Sequence, residues 1–416
     1  MTDTTGPLLA ADGTPLKRKL SQALFKSRAR AFGLAFPLLA FILLTFIVPI
    51  ILLLTQSVYD DRYARLMPQS TAAIADWDGV SEPTEEMAAA MVADLVVARE
   101  TKTIGRVATR VNRELSGTRS LFTKTGRSAA KMEAPFMAAL IDKDDEWGDV
   151  ETWQAVKIAS KTFNPSYIAA ALDMKFNADG SFSMQDENRR IHVKLFFRTL
   201  EISFLVTVFC LILGYPVAYL LSTLPVRTSN LLLILVLLPF WTSLLVRTTA
   251  WIAMLQGQGV LNDLFVVFGI AADDDRFSLI YNKTGTLISM THILLPFMIL
   301  PLYSVMKTIP PSYVRAAKSM GATNWTAFWR VYFPQSVPGI GAGALLVFIL
   351  AIGYYITPAL VGGQDGQMIS NIIDFHMRKS LNWNLAAALG LVLLVFVLFL
   401  FWLYDRIVGI DNVKLG

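Results

Sequence analysis

Ionisable and aromatic side chains inside long apolar stretches are the first candidates for chemistry in this sequence. Glu201 and Arg247 interrupt apolar runs, and Trp241 and Trp251 lie on either side of Arg247. A charge inside a bilayer is costly and indicates a transport path, while ammonium groups are attracted to aromatic faces. The set predicts a path for an organic cation. Pairing of Glu201 with Arg198, snorkelling of Arg247 to the interface and interfacial anchoring of the tryptophans are the alternatives.

Three further residues complete the candidate path. Tyr354 and Tyr355 stand between a glycine and Pro358, and Thr242 follows Pro239 closely. Because proline bends membrane helices, we expect these positions to border a central opening.

Motifs for catalysis are missing from the sequence. It contains no G-x-x-x-x-G-K-[ST] loop of the kind that holds ATP phosphates. Its three histidines lack metal-ligand spacing, and its single cysteine, Cys210, is expected to be inert packing. The sequence therefore predicts no enzyme, no catalytic residue, no metal and no cofactor on this chain.

A polar stretch, Val314 to Ile340, is the second candidate for function. Pro310, Pro311 and Ser312 suit a helix start, Arg315 to Met320 predicts a short helix, and Gly321 predicts its end. Asn324 to Phe333 predicts a second amphipathic helix that Pro334 and Pro338 end. Such a helix–bend–helix can enter a groove of a partner, with Ala317 on its apolar face. The alternative is a helical loop lying in the membrane interface.

These candidates are positioned by membrane spans. The 416 residues are 54% hydrophobic and 17% charged, which is typical of an integral membrane protein. Six apolar runs predict six transmembrane helices. They lie near residues 31–54, 195–221, 231–254, 279–306, 340–361 and 385–408.

Basic residues set the predicted orientation. Lysines and arginines precede the first run and lie in the loops after the second and fourth runs, so both termini are expected in the cytoplasm. The net charge of +5 is explained by these flanks and does not indicate nucleic acid. The predicted organisation is a cytoplasmic tail 1–30, a first span 31–56, a periplasmic insertion 57–192, a core 193–410 containing a cytoplasmic loop 308–339, and a tail 411–416.

The polar region 57–192 is expected to form a mostly helical extracytoplasmic insertion. Ile104, Val107, Ala108, Val111 and Leu115 recur on one helical face, with Arg106, Arg110 and Arg113 mostly off that face. Two short strands are predicted at 174–176 and 181–184. Four aromatic residues are candidates for its core: Trp147, Trp153, Phe163 and Tyr167. The region is either a docking platform for an external partner or an insertion of structural use.

The polar stretch resembles the "EAA loop" of ABC importer permeases. The resemblance lies in Ala316–Ala317, in Gly321 and in the run Val331–Pro334. Pro239–Ser243 and Arg247 resemble the spermidine/putrescine branch of that family. Where the family usually has glutamate this chain has Arg315, which predicts a partner face of different charge.

The resemblance implies an all-α membrane permease that imports a polyamine. It implies partner ATPase subunits that hold ATP and magnesium, a second related permease and a periplasmic substrate-binding protein. The coupling-loop residues carried over are Arg315, Ala316, Ala317, Gly321, Ala322, Phe328 and Pro334. Another solute, such as an opine, an amino-acid derivative or a sugar, remains an alternative. A membrane sensor with an external ligand domain and an ion-coupled secondary transporter are alternatives of other classes.

Overall fold

The computed structural model describes residues 16–408, and residue contacts divide the chain after Gln56. The first unit contains α1 (Leu16–Ile42), a π-helical turn (Leu43–Ile47) and α2 (Val48–Thr55). Leu24–Thr55 is long and apolar enough to cross a membrane. The π-helical turn ends two residues before Pro49, which lacks the amide that a regular helix requires. The predicted tail 411–416 and the first half of the predicted tail 1–30 lie outside the described residues.

Residues 57–191 form short helices and one hairpin. The helices are α3 (Arg62–Leu66), α4 (Pro68–Ile74), α5 (Glu85–Glu100), α6 (Ile104–Val111), α7 (Thr118–Ser128), α8 (Phe136–Lys143), α9 (Val150–Ser160) and α10 (Ser166–Ala171). Single 3₁₀ turns lie at Ala129–Lys131, Asp145–Gly148 and Glu187–Arg189. The antiparallel strands β1 (Met174–Phe176) and β2 (Phe182–Met184) confirm the predicted hairpin.

The core of residues 57–191 confirms the predicted apolar face of α6. Its residues Ile104, Val107, Ala108 and Val111 are buried. Trp147 and Trp153 are buried too, with ring centroids 5.6 Å apart.

One detail of that region was predicted wrongly, and the burial of one arginine was not predicted. Phe163 is 73% exposed because it pairs edge-on with Tyr59 at the surface instead of entering the core. Arg110 lies inside the core, since buried carboxylates compensate its charge.

The remaining residues form the helices expected of a membrane core. They are α11 (His192–Thr223), α12 (Val226–Leu237), a 3₁₀ turn (Leu238–Trp241), α13 (Leu244–Leu255), α14 (Val260–Val267), α15 (Lys283–Thr308), α16 (Pro311–Ser319), α17 (Asn324–Ala327), a π-helical turn (Phe328–Tyr332), α18 (Phe333–Gly353), α19 (Ile356–Val361), α20 (Ile369–Arg378) and α21 (Trp383–Val408).

Helix α15 packs against both α11 and α18 through glycines of those two helices. A Cβ atom on Gly214 of α11 would lie 3.1 Å from Met298 Cγ of α15. On the other side, a Cβ atom on Gly343 of α18 would lie 2.8 Å from Met298 Sδ. Small residues allow membrane helices to approach closely, so α15 is held between two glycine surfaces.

The third predicted span is broken. Within the described residues five helices could each cross a membrane, or six segments if Val226–Trp241 and Leu244–Val267 form one bent span. These two pieces meet at 94°. The prediction of one continuous helix over 231–254 is wrong because Pro239 forms a 3₁₀ turn and Ser243 caps a new helix, accepting a hydrogen bond from Val246 N at 3.2 Å.

The fifth predicted span begins earlier than expected. Helical structure runs from Asn324 to Gly353, so the prediction that Pro334 and Pro338 end a helix is wrong. The π-helical turn (Phe328–Tyr332) contains the residue four positions before Pro334, where the proline removes a backbone donor. The helix ends instead at Gly353, and Tyr354 and Tyr355 separate it from α19.

Candidate functional site

The helix–bend–helix from Pro311 to Ala327 is present. Gly321 has a φ of +92°, a conformation that favours glycine and turns the chain after α16. Thr323 then caps α17 by accepting a hydrogen bond from Thr326 N at 3.2 Å. The bend separates two short helices, as the sequence predicts.

The exposed face of this segment carries charge and large apolar side chains. Arg315 and Ala316 are exposed, and Ala322 is half-buried. Met320 and Trp325 are 82% and 72% exposed. Ala317 was predicted on the docking face, but it is only 6% exposed because its side of α16 packs inward. Met320 and Trp325 are therefore the most exposed apolar side chains of the segment.

An aromatic cluster joins this segment to the end of α11. We define the coupling cluster as Tyr215, Tyr219, Phe328, Tyr332 and Phe333. The Phe328 ring lies edge-on to Tyr215 and Tyr219, with centroids 6.2 Å and 5.9 Å away. Tyr219 and Tyr332 meet edge-on at 5.1 Å.

Hydrogen bonds and packing fix the position of the coupling cluster. Tyr332 Oη lies 3.1 Å from Ser222 Oγ, and Tyr215 Oη lies 3.0 Å from Ser336 Oγ. Pro334, the last predicted coupling residue, is exposed in the first turn of α18. These ring contacts and hydrogen bonds pack the end of the segment directly against α11.

Part of the predicted path converges around Arg247. Trp251 Nε1 donates a hydrogen bond to His292 Nδ1 at 3.1 Å, and their rings are 5.2 Å apart. Arg247 interacts electrostatically with both His292 and Tyr354. Its Nε is buried without a hydrogen-bond partner among residues 16–408. Sequence reasoning missed His292, since a lone histidine in an apolar run carries no spacing signal.

The break at Tyr354 and Tyr355 is stabilised by side chains of α20. The Tyr354 carbonyl accepts a hydrogen bond from Ser370 Oγ at 2.5 Å, and the Tyr355 carbonyl accepts one from Asn371 Nδ2 at 2.7 Å. The guanidinium of Arg378 lies 5.5 Å from the Tyr355 ring centroid. The Tyr355 carbonyl also accepts the first backbone hydrogen bond of α19, from Ala359 N at 3.0 Å, so the break is fixed from both sides.

The other predicted path residues lie apart from Arg247. Glu201 pairs with Lys283, while Arg198 donates to the Gln364 carbonyl at 2.6 Å. The alternative that Glu201 pairs with Arg198 is therefore wrong. Trp241 is 78% exposed beside Thr242, whose hydroxyl donates to the Pro239 carbonyl at 2.8 Å. In the described part of the chain neither Glu201 nor Trp241 has a bond or ring contact with Arg247.

Residues 57–191 contain a buried charge network that the sequence did not predict. Asp60 Oδ2 accepts hydrogen bonds from Arg62 Nη2 at 2.6 Å and Tyr167 Oη at 2.7 Å. Arg110 Nε lies 3.0 Å from the same oxygen, and Arg110 Nη1 lies 2.6 Å from Glu114 Oε1. Burial opposes ionisation of Asp60, but these donors and positive charges prevail and lower its pKa to about 2.

The network continues to the beginning of α21. Arg62 donates to Asn384 Oδ1, and Asn384 Nδ2 donates to the Tyr59 carbonyl at 3.2 Å. Arg113 Nη2 donates to the Leu381 carbonyl at 3.1 Å. Residues that are more than 250 positions apart in the sequence are thereby joined, which no local pattern reveals.

Comparison with known proteins identifies the class. Residues 202–408 match the family model described as "Binding-protein-dependent transport system inner membrane component". The chain belongs to this family of ABC transporter permeases, which are non-catalytic, multi-pass proteins of the inner membrane. Family membership does not favour the sensor or the ion-coupled transporter.

Individual relatives refine the comparison. The chain is 34% identical over 216 residues to the spermidine/putrescine transport system permease protein PotB of Haemophilus influenzae, covering 52% of this chain and 75% of the relative. It is 30% identical over 244 residues to PotB of Escherichia coli K12, covering 58% and 87%.

Solved structures are also similar. A crystal structure of a bacterial alginate ABC transporter matches with a TM-score of 0.42 at 20% identity, covering 52% of this chain and 80% of that chain. An inward-facing MetNI methionine ABC transporter matches with a TM-score of 0.41 at 18% identity, covering 54% and 98%.

Proposed function

We propose that this chain is the permease subunit of an ATP-driven importer that carries a polyamine, putrescine or spermidine, into the cytoplasm. The similarity to two PotB proteins supports the substrate class. The single structural observation that carries the coupling role is the exposed segment Pro311–Ala327, fastened to α11 by the coupling cluster.

In this proposal six spans cross the membrane, with both termini in the cytoplasm. The bent pair Val226–Trp241 and Leu244–Val267 counts as the third span. Residues 57–191 then form a large periplasmic insertion, and Pro311–Ala327 lies in the cytoplasm. There it meets one of two ATPase subunits that bind ATP and magnesium. A second related permease completes the channel, and a periplasmic binding protein delivers the solute.

Coupling follows from the contacts of the exposed segment. Met320 and Trp325 enter a groove of the ATPase subunit, and the exposed guanidinium of Arg315 meets an acidic group beside it. When the ATPase subunits close, the segment moves and the coupling cluster shifts the end of α11. The core then exchanges access between the two sides of the membrane.

We place five residues along the transport path: Arg247, Trp251, His292, Tyr354 and Tyr355. A guanidinium repels a polyamine, so Arg247 acts here as a gate and the aromatic rings act as the surface over which ammonium groups pass. Glu201 is engaged with Lys283 and becomes available to a cation when that pair opens.

The test is uptake of labelled putrescine and spermidine in cells that lack this chain but retain its partner subunits. We expect wild-type protein to restore ATP-dependent uptake and Met320→Glu to reduce it at least about tenfold, because a buried unpaired charge opposes docking. Val80→Glu, which alters another exposed apolar side chain in residues 57–191, is the matched control.

Two outcomes of the uptake experiment would change the proposal. Full uptake by the Met320→Glu variant, with normal membrane insertion, would overturn the coupling role of this segment. Restored transport of another solute, with no effect on polyamines, would retain the permease function and remove polyamines as its substrate.

A further inference from the structure

An arginine-rich cavity opens in residues 57–191, away from the proposed path and coupling segment. Its volume is about 410 Å³. Five of its eight lining residues are arginines, and none is acidic: Arg62, Arg65, Arg106, Arg110 and Arg113. Concentrated guanidinium groups around an opening attract oxyanions, since each presents several donors in a fixed fork.

The positive charge of this arginine cavity is only partly compensated inside the protein. Asp60 and Glu114 pair with Arg62 and Arg110. Arg65, Arg106 and Arg113 form no ion pair in the described part of the chain, and Arg113 is held by the Leu381 carbonyl and by Tyr167. Two carboxylates therefore face five guanidinium groups.

Two of the cavity's arginines have side-chain nitrogens that are buried without a hydrogen-bond partner among the described residues. The Arg110 side chain is 99% buried, since only 1% of it is exposed, and its Nη2 has no hydrogen-bond partner among the described residues. Arg113 Nη1 is also buried and has no hydrogen-bond partner among the described residues. Both nitrogens are closed off from solvent, and the Arg110 guanidinium carbon lies 5.2 Å from the Tyr167 ring centroid, so these groups add positive charge to the wall of the cavity.

The position of the cavity limits which oxyanions can reach it. Arg62, one of its walls, donates to Asn384 in the first turn of α21, and Trp383–Tyr404 is a candidate membrane span. The opening therefore lies next to the end of a membrane helix. At such a level an oxyanion is supplied either by the phosphate of an anionic phospholipid or by free phosphate in the surrounding water.

We propose that the arginine cavity binds a phosphate-type oxyanion, with Arg65 and Arg106 as its ligands and with Arg110 and Arg113 adding positive charge to its wall. The proposal does not depend on a polyamine as the transported solute. Bound anion neutralises the surplus of guanidinium charge and holds residues 57–191 against the start of α21.

The experiment uses the full-length chain purified in its transporter complex, and it has two arms. In detergent, the thermal unfolding midpoint is followed against inorganic phosphate, with chloride at equal ionic strength as reference. In nanodiscs, phosphatidylcholine alone is compared with phosphatidylcholine containing phosphatidylglycerol, without free phosphate. A ligand that binds only the folded state raises the midpoint.

Arg65→Gln/Arg106→Gln is the test variant, because both side chains are exposed and outside the buried network, so the fold is retained. Arg99→Gln/Arg119→Gln removes the same charge from exposed positions that do not line the cavity. We expect the test variant to weaken anion binding by about tenfold or more, because two charge-assisted contacts are lost, and the control variant to bind like wild type.

The two arms distinguish the source of the anion. Saturable stabilisation by inorganic phosphate that only the test variant loses assigns a free oxyanion. Stabilisation only by phosphatidylglycerol, again lost only in the test variant, assigns a lipid headgroup. Absence of stabilisation in both arms, or equal stabilisation of both double variants, would overturn the proposal.

Discussion

Residues 57–191 and the three helices α11, α15 and α18 bury their surfaces in opposite ways. The first region encloses large rings, such as Trp147 and Trp153, together with a compensated set of charges around Asp60. The three helices instead meet at glycines, where α15 approaches to within van der Waals distance of its neighbours' backbones.

The difference reflects the two solvents that the regions are built for. In water, burying large apolar side chains drives folding, and buried charges are tolerated where opposite charges and hydrogen bonds compensate them. In lipid, apolar side chains gain little by leaving the solvent, so close backbone approach provides the stability. Removing a charge should therefore damage the first region, and adding a methyl group should damage the second.

Asp60→Asn is the largest expected perturbation. It leaves Arg62 and Arg110 without their shared carboxylate, and breaking such a buried pair costs about 3–5 kcal/mol. Hydrogen–deuterium exchange should speed up in peptides from residues 57–191 and stay unchanged in α15. Asp142→Asn, at an exposed position, is the control. Equal acceleration in α15 would show that the two regions are not energetically separate.

Gly343→Val tests the opposite region. The new Cβ would lie 2.8 Å from Met298 Sδ and 3.2 Å from the Met298 carbonyl oxygen, too close for the helices to keep their spacing. We expect a loss of about 2–3 kcal/mol, toward the upper end for overpacking. Thermal unfolding of the purified chain measures it.

The matched control for Gly343→Val is Gly390→Val in α21, where no atom of residues 16–408 lies within 4 Å of the new Cβ. Similar destabilisation by both variants would argue that glycine packing around α15 is not what holds the three helices.

Acidification should lower the stability of residues 57–191 by less than either substitution lowers the stability of its own region. Because the pKa of Asp60 is lowered from 3.8 to about 2, its contribution is present above pH 4 and is lost as the pH falls through 2. The shift corresponds to roughly 2 kcal/mol. Thermal unfolding between pH 5 and pH 2 should be less pH-dependent in Asp60→Asn than in wild type. The same pH dependence in both would contradict the role of Asp60.

Sequence reasoning succeeded where a local pattern carries the information. The face of α6 and the hairpin at 174–176 follow from periodicity and turn residues. Gly321 marks the bend between α16 and α17 for the same reason. Prolines were less reliable: Pro334 is accommodated within a helix by a π-helical turn, whereas Pro239 disrupts its helix. Whether a proline ends a helix depends on the packing around it.

The sequence alone determined that this is a membrane permease with a polar helix–bend–helix between two spans. The apolar runs and the pattern of Ala316–Ala317 and Gly321 carry that information. Only the tertiary structure decided which side of that segment is accessible, burying Ala317 and exposing Met320. It also brought Asp60 and Arg110 together and left five arginines around one cavity. The physical reason is that hydropathy and turn preferences act between neighbours in the chain, whereas charge compensation and packing act between residues that only folding brings into contact.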